Sequence, residues 1–270
     1  GLVDTLSNGR LELGLGSGYQ QFEFERFGTD LAEAGKMFAE YLDLIPIALT
    51  QKTFEYHGKI LDIPPSSLNV RCVQKPMPPI WVTTGNPVVR ARAMREGHNL
   101  FITALLGGND AIRGLRAKMV ESAEAAGVDV DATKFGFLRC GFASRDKAEI
   151  DRYLDSARFA RRLSESLRDR RQETDDGYLM QEVPLQQELS LDDMRENLPV
   201  GEVDRVIDKM LEEIEILKPR HIALQTQLGD VDQKTMLRQI ELWGDRIIPA
   251  IKRALGSPAD APATARFATA

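Results

Sequence analysis

Five times along this chain a short apolar run gives way to a stretch of helical spacing, and this alternation constrains the fold more than any single motif. The runs are RLELGLG (Arg10–Gly16), IWVTTG (Ile80–Gly85), NLFITAL (Asn99–Leu105), KFGFLRCGFAS (Lys134–Ser144) and RHIALQTQ (Arg220–Gln227). Their length, apolar content and Gly or Thr boundaries predict strands. Between them apolar residues recur every three or four positions, as in Leu31, Ala34, Phe38, Tyr41, Leu42, Ile45 and Leu49. The same spacing predicts helices over Pro87–Glu96, Asp110–Ala126, around Tyr153–Leu167, over Val203–Leu217 and around Met236–Ile251. Gly97 supplies a stop for the second of these, and Pro249 is expected to kink or shorten the last. Repeated strand–helix units argue for a parallel sheet with covering helices. Periodicity does not choose between a barrel and an open sheet.

Other segments interrupt the pattern. Residues Thr53 to Ile63 read as a small hairpin, and a proline-bearing connector follows it. Residues near Glu173–Leu191 read as an irregular insertion. The tail from Ser257, rich in Ala, Pro and Thr, is expected to be disordered, which leaves residues 1–256 as the folded domain.

Composition narrows the function classes. The chain has 270 residues and a net charge of −6, so a general nucleic-acid or anionic-membrane surface is not expected. No apolar run is long enough for a membrane helix, and GLVDTLSNGR lacks the features of a signal peptide. Cys72 and Cys140 are far apart, match no metal pattern and suggest a reducing, cytoplasmic setting. Neither has an activating neighbour in sequence, and both are expected to be inert.

Two strand-end motifs invite a phosphate. In GLGSGY (Gly14–Tyr19) the third glycine comes one position too early for a dinucleotide fingerprint. The stretch reads either as a tight turn or as backbone N–H groups approaching a phosphate. In TTGNP (Thr83–Pro87) Asn86 suits a helix cap and Pro87 the first helical position, with Thr83 and Thr84 adding hydroxyls. A helix N-terminus at the C-terminal end of a strand also suits an anion. Glu23 and Glu25 would not face each other on a strand or a helix, so a solvated role is favoured over acid–base work. Arg10 is expected in an ion pair near its strand start. The run RFARRLSESLRDRR reads as a solvated helical face.

Taken together and in order, VDTLSNGRLELGLGSGY, EFERFGTD, FEYHGK, QKPMPPIWVTTG and IELWGDRIIPAI resemble the bacterial-luciferase-like flavin monooxygenases, from Leu2 to about Leu255. The resemblance implies an α/β, (β/α)8 TIM-barrel-like fold, here incomplete, with about five strand–helix units corresponding to strands four to eight. It implies an enzyme that uses reduced FMN and O2 to oxidise a small organic substrate. NAD(P)H would be the indirect reductant, with a flavin reductase as partner and a homodimer as the assembly. The same motifs suit an F420-dependent oxidoreductase, or a non-catalytic flavin-binding or structural fragment. The chain could equally be a fragment, a degraded gene or one part of a split barrel.

By the same resemblance, Ser17, Gly18, Tyr19, Thr83, Thr84, Gly85, Asn86 and Thr103 would contact the flavin, the first two and Thr83–Asn86 at its phosphate. Ser17 stands where bacterial luciferase has an arginine, so the expected site is less cationic there. Gln20 could lie beside the cofactor, whereas Gln225 and Gln227 read as ordinary strand-end residues. His57, His98 and His221 match no active-site histidine of the family, so no catalytic base and no metal ligand is assigned.

Overall fold

The computed structural model describes residues 1–168 and 183–256. The tail expected from Ser257 and the first part of the expected insertion lie outside these residues.

The sheet contains five parallel strands: β1 (Leu13–Gly16), β4 (Ile80–Thr83), β5 (Asn99–Thr103), β6 (Phe135–Cys140) and β9 (His221–Gln225). They lie side by side in chain order, and the registers are continuous: Gly16 opposes Thr83, Trp81 opposes Asn99, Thr103 opposes Leu138 and Cys140 opposes Gln225. A doubly wound sheet reverses its strand order at a switch point; this one does not. An ordered parallel array with each strand beside the next is the arc of a barrel. The arc is not closed, because β1 and β9 are edges.

Alternation along each strand sorts side chains onto two faces. Leu13, Leu15, Ile80, Val82, Leu100, Ile102, Phe135 and Phe137 pack toward the helices and form the main core. Phe38, Leu42 and Ile45 of α3 (Ala34–Thr50), Ala93 and Met94 of α4 (Pro87–Arg95) and Ile112 and Met119 of α5 (Asn109–Ala126) meet them. The hairpin comprises β2 (Phe54–His57) and β3 (Asp62–Ser66). Glu40 of α3 anchors its turn by accepting from the backbone N–H groups of Lys59, Ile60 and Leu61. Two short helices, α1 (Leu2–Leu6) and α2 (Gln21–Arg26), flank β1.

The run expected as one strand over Lys134–Ser144 divides. β6 ends at Cys140. Past Gly141 the chain leaves the sheet, and β7 (Phe142–Ala143) pairs in parallel with β8 (Val200–Gly201). Between them stand α6 (Lys147–Arg168) and α7 (Leu191–Asn197), with residues 183–190 in no helix or strand. Phe142, Tyr153, Leu154, Met194 and Leu198 of this block form a second core, which they share with Cys140 of β6 and with Leu228 and Met236 beyond β9. The helix that continues the ring beside α5 is α8 (Val203–Leu217), not α6. Five strand–helix units therefore hold, but the unit that begins with β6 carries an insertion of β7, α6, α7 and β8 at its C-terminal end. Periodicity marked α6 as amphipathic without showing what its apolar face covers.

After β9 come α9 (Gln233–Leu242), a wide π-type turn at Trp243–Ile247 and α10 (Ile248–Ala254). Pro249, which has no N–H to give to the preceding turn, falls in the first turn of α10 directly after the π-type segment. Among the described residues no helix is long and apolar enough to cross a membrane.

Candidate functional site

Glycine clears part of the face opposite the helices. Leu13 and Leu15 of β1 point to the core, so Gly14 and Gly16 fall on the other face. A Cβ on Gly14 would meet nothing within 4 Å, and one on Gly16 would come no closer than 3.9 Å to the Thr83 carbonyl. These glycines are not demanded by crowding; they leave backbone bare. Gly18 is different. Its φ is +74°, and a Cβ would lie 2.9 Å from the Phe24 ring. Of the three alternating glycines, two lie within the strand and only Gly18 turns the chain.

Trp81, Thr83, Phe101 and His221 border the same bare patch with Glu12, enclosing a groove of about 470 Å³. At its lower end the Trp81 ring stands edge-to-face on Phe101 at 6.4 Å and on His221 at 5.2 Å. The Trp81 N–H donates to the Glu12 carboxylate. Gly136 makes room for this group: a Cβ there would sit 2.4 Å from the Phe101 ring. Sequence reading missed the cluster. Strand parity could have found it, because Glu12, Trp81, Phe101 and His221 each alternate with residues of the core face.

At the upper, C-terminal end, the ends of β1, β4 and β5 set three groups of the expected contacts side by side. The loops after Gly16 and after Thr83 leave neighbouring strands at the same end, so Ser17–Gly18 and Thr83–Asn86 are adjacent. Thr103 ends β5 on the other side of β4. Tyr19 projects at 57% exposure. The TTGNP loop is more committed to its own shape than its hydroxyl content suggested. The Thr84 hydroxyl oxygen accepts from the Asn86 N–H at 3.0 Å, and Asn86 Oδ1 accepts from Val88 N at 2.9 Å. The Thr84 O–H hydrogen and the Thr83 hydroxyl remain as donors. Gln20 lies between the two loops in sequence, and its Oε1 is buried without a partner.

The remaining candidates separate. Glu25 accepts from Gln21 at 3.0 Å along α2, as its solvated role requires. Arg10 donates to the Ser7 carbonyl at 2.8 Å in place of the expected ion pair. His57 pairs with Asp62 at 2.6 Å in the hairpin, which raises its pKa; His98 is buried at the end of α4, and burial lowers its pKa. Burial pushes the Cys140 thiol up to about 11, in keeping with an inert role. Among the described residues no group of three or more His, Cys, Asp or Glu is placed to hold a metal.

Arg139 organises the loop that follows Thr103. It is fully buried on the helix side of β6. Its guanidinium donates to both Glu213 oxygens, to the Gly107 carbonyl at 2.7 Å, to the Ala104 carbonyl and to the Asn197 carbonyl at 2.7 Å. One side chain thus ties β6 to the β5–α5 loop, the end of α7 and α8. Burial pushes the Glu213 carboxyl above its ordinary value, and Arg139 opposes that shift.

Beside Thr103, between this loop and the insertion, lies a crevice of about 570 Å³. The barrel side contributes Leu105, Leu106, Leu115 and Lys118, and the insertion contributes Arg158, Arg161, Leu185, Glu188, Leu189 and Met194. Sequence reading treated the arginine run of α6 as solvated; two of its members line this space.

Parallel strands in consecutive order, with loops gathered at their C-terminal ends, define the barrel class of α/β proteins. Within that class, the pattern described as luciferase-like monooxygenase matches residues 1–217, and the chain belongs to that family. An uncharacterized protein, y4vJ of Sinorhizobium fredii, is 56% identical over 256 residues, which is 95% of this chain and 73% of that protein. The oxygenase component of flavin-dependent trigonelline monooxygenase from Acinetobacter baylyi is 32% identical over 116 residues, 42% of this chain and 32% of its own. Among solved structures, monooxygenase RslO1 from Streptomyces bottropensis superposes with a TM-score of 0.74 at 19% identity, covering 92% of this chain and 71% of that one. An F420-dependent secondary alcohol dehydrogenase, bound to an F420–acetone adduct, superposes at 0.65 with 18% identity, over 92% and 73%.

Proposed function

We propose that the chain is the larger part of a flavin-dependent monooxygenase that binds reduced FMN against the bare face of β1 and oxidises a small organic substrate with O2. The observation that carries this reading is the pair Gly14 and Gly16, which opens β1 beside a row of hydroxyls at the strand ends. A flat ring needs backbone without side chains to lie against. A phosphate needs N–H and O–H donors where the strands finish. Ser17, Gly18, Tyr19, Thr83, Thr84, Gly85, Asn86 and Thr103 are the residues assigned to hold it, Thr83 and Thr84 through their free O–H hydrogens. When bound, the flavin supplies the activation of O2; the protein orients the ring, excludes water and fixes the phosphate. Ser17 donates a hydrogen bond but no charge, so the phosphate site leans on neutral donors and the α4 N-terminus.

A relative named as an oxygenase component supports a separate supplier of reduced flavin, fed from NAD(P)H. F420 is the second reading, favoured by the fold shared with an F420-dependent dehydrogenase. A homodimer and a cytoplasmic setting belong to the same proposal.

The test is a titration of reduced FMN, riboflavin and F420 against the protein, repeated with Asn86→Asp. Aspartate keeps the α4 cap and brings a negative charge to the phosphate position. FMN is expected to lose about tenfold or more in affinity while riboflavin, which has no phosphate, is unchanged. Equal losses for both would sink the phosphate assignment. Binding of neither FMN nor F420 would sink the flavin reading.

A further inference from the structure

The crevice between the insertion and the β5–α5 unit is built for a ligand of a particular kind. Its volume of about 570 Å³ falls within the range of small-molecule sites. Its walls are apolar, with Leu105, Leu106 and Leu115 facing Leu185, Leu189 and Met194. Gly114 of α5 lines it, and a Cβ there would meet nothing within 4 Å.

Cations border this apolar space. Lys118, Arg158 and Arg161 line it against one carboxylate, Glu188. Arg158 pairs with Asp155 at 2.6 Å and lies 3.9 Å from Glu188, Arg161 pairs with Glu165 at 2.6 Å, and Glu188 is held by Arg162. These pairs leave donors over. Arg158 Nε is buried without a hydrogen-bond partner, and Lys118 adds a second cation to the same wall. An apolar body ending in a carboxylate would satisfy both the leucines and these donors; a neutral apolar molecule would satisfy only the first.

We propose that the crevice binds an organic anion with an apolar body, its charged end toward Lys118 and Arg158. Thr103 lines this crevice and also stands in the row assigned to the flavin. Resting on the flavin reading, this places the oxidisable substrate here and makes it an organic anion. The floor under it is held in shape by Arg139 through the Ala104 and Gly107 carbonyls.

Octanoate and 1-octanol, titrated calorimetrically into the protein, test the proposal. Octanoate should bind about tenfold or more tightly than octanol. Lys118→Gln with Arg158→Gln should erase that preference and leave octanol binding in place. Gly114→Phe should abolish binding of both by filling the space, and Gly114→Leu, a milder filling on a helix, should weaken both. Equal affinity of the two probes in the parent protein, or octanoate binding unchanged by both Gly114 variants, overturns the site. Reduced FMN titrated in parallel keeps the two readings apart. Flavin binding without an octanoate preference removes the anion site and leaves the flavin reading. An octanoate preference without flavin binding removes the flavin reading and leaves the crevice as a ligand site.

Discussion

Arg139 shows how much one residue can decide. A guanidinium taken fully out of water is tolerated only when its donors are met, and here Glu213 and three backbone carbonyls meet them. Arg139→Met should therefore cost about 3–5 kcal/mol, because it leaves Glu213 buried without its counter-ion. Adding Glu213→Leu should recover more than half of that loss, which urea denaturation of the single and double variants would show. A double variant no more stable than Arg139→Met would contradict the account. Cys140, on the same strand, illustrates the opposite case. Burial holds its thiol at about 11, so iodoacetamide at pH 8 should leave it unlabelled in the native protein and label it after denaturation. Neither residue could be placed from sequence. An arginine in LRC is ordinary, and only the fold reveals that its strand position faces α8.

At the scale of elements, glycines and one carboxylate set local order. Gly136→Ala would push a methyl into the Phe101 and Trp81 rings, which a packed cluster absorbs only by moving. It should destabilise by about 1–3 kcal/mol and alter the Trp81 contribution to near-ultraviolet circular dichroism. Glu40 gives a pH-dependent counterpart. Backbone N–H groups from Leu61, Lys59 and Ile60 hold its carboxyl below the ordinary value. A depressed carboxylate stabilises above its unfolded pKa, and the contribution is lost as pH falls through the folded value. Hydrogen exchange at residues 59–61 should therefore rise, relative to the α3 amides, as pH drops below about 4.3, with the intrinsic pH effect removed. Glu40→Gln should show that faster exchange already at neutral pH.

Element existence was legible where periodicity was long and uncontested. The helices of α3, α4, α5 and α8 and the five main strands follow from spacing, and Asn86–Pro87 announces the α4 start through its cap. Legibility failed where three-dimensional partners decide. LRCGFAS gives no sign that the chain leaves the sheet at Gly141, since Phe142 and Ala143 are as apolar as the strand before them. The glycine row was readable as a site signal, but not that Gly14 and Gly16 serve one face while Gly18 serves the turn. The crevice was invisible, because its walls are drawn from α5, α6 and residues 185–189, which are distant in sequence.

Over the whole molecule, the five-stranded arc leaves one side of β1 and one side of β9 unpaired among the described residues. Edge strands of this kind template pairing with other chains. The protein should therefore self-associate through these edges, and light scattering should report more than one copy. A monodisperse single copy would mean that the edges are protected by means not evident among the described residues. The same arc explains why candidate groups collect at one end: parallel strands in consecutive order bring every following loop to the same side.

The two-residue ladder of β7 and β8 carries a consequence for how such a molecule can diversify. Phe142 lies beside Val200 and Ala143 beside Gly201, so the insertion leaves and rejoins the main body at neighbouring points. Whatever is strung between those points behaves as a cassette. Its outer parts can lengthen or shrink while its ends stay stitched together, provided that the Asn197 carbonyl still meets Arg139 and the Tyr153 hydroxyl still meets the Gln225 carbonyl. Grafting a foreign segment over residues 184–189, several of which line the crevice, would then be a way to redraw what it accepts while the five-stranded frame is inherited unchanged.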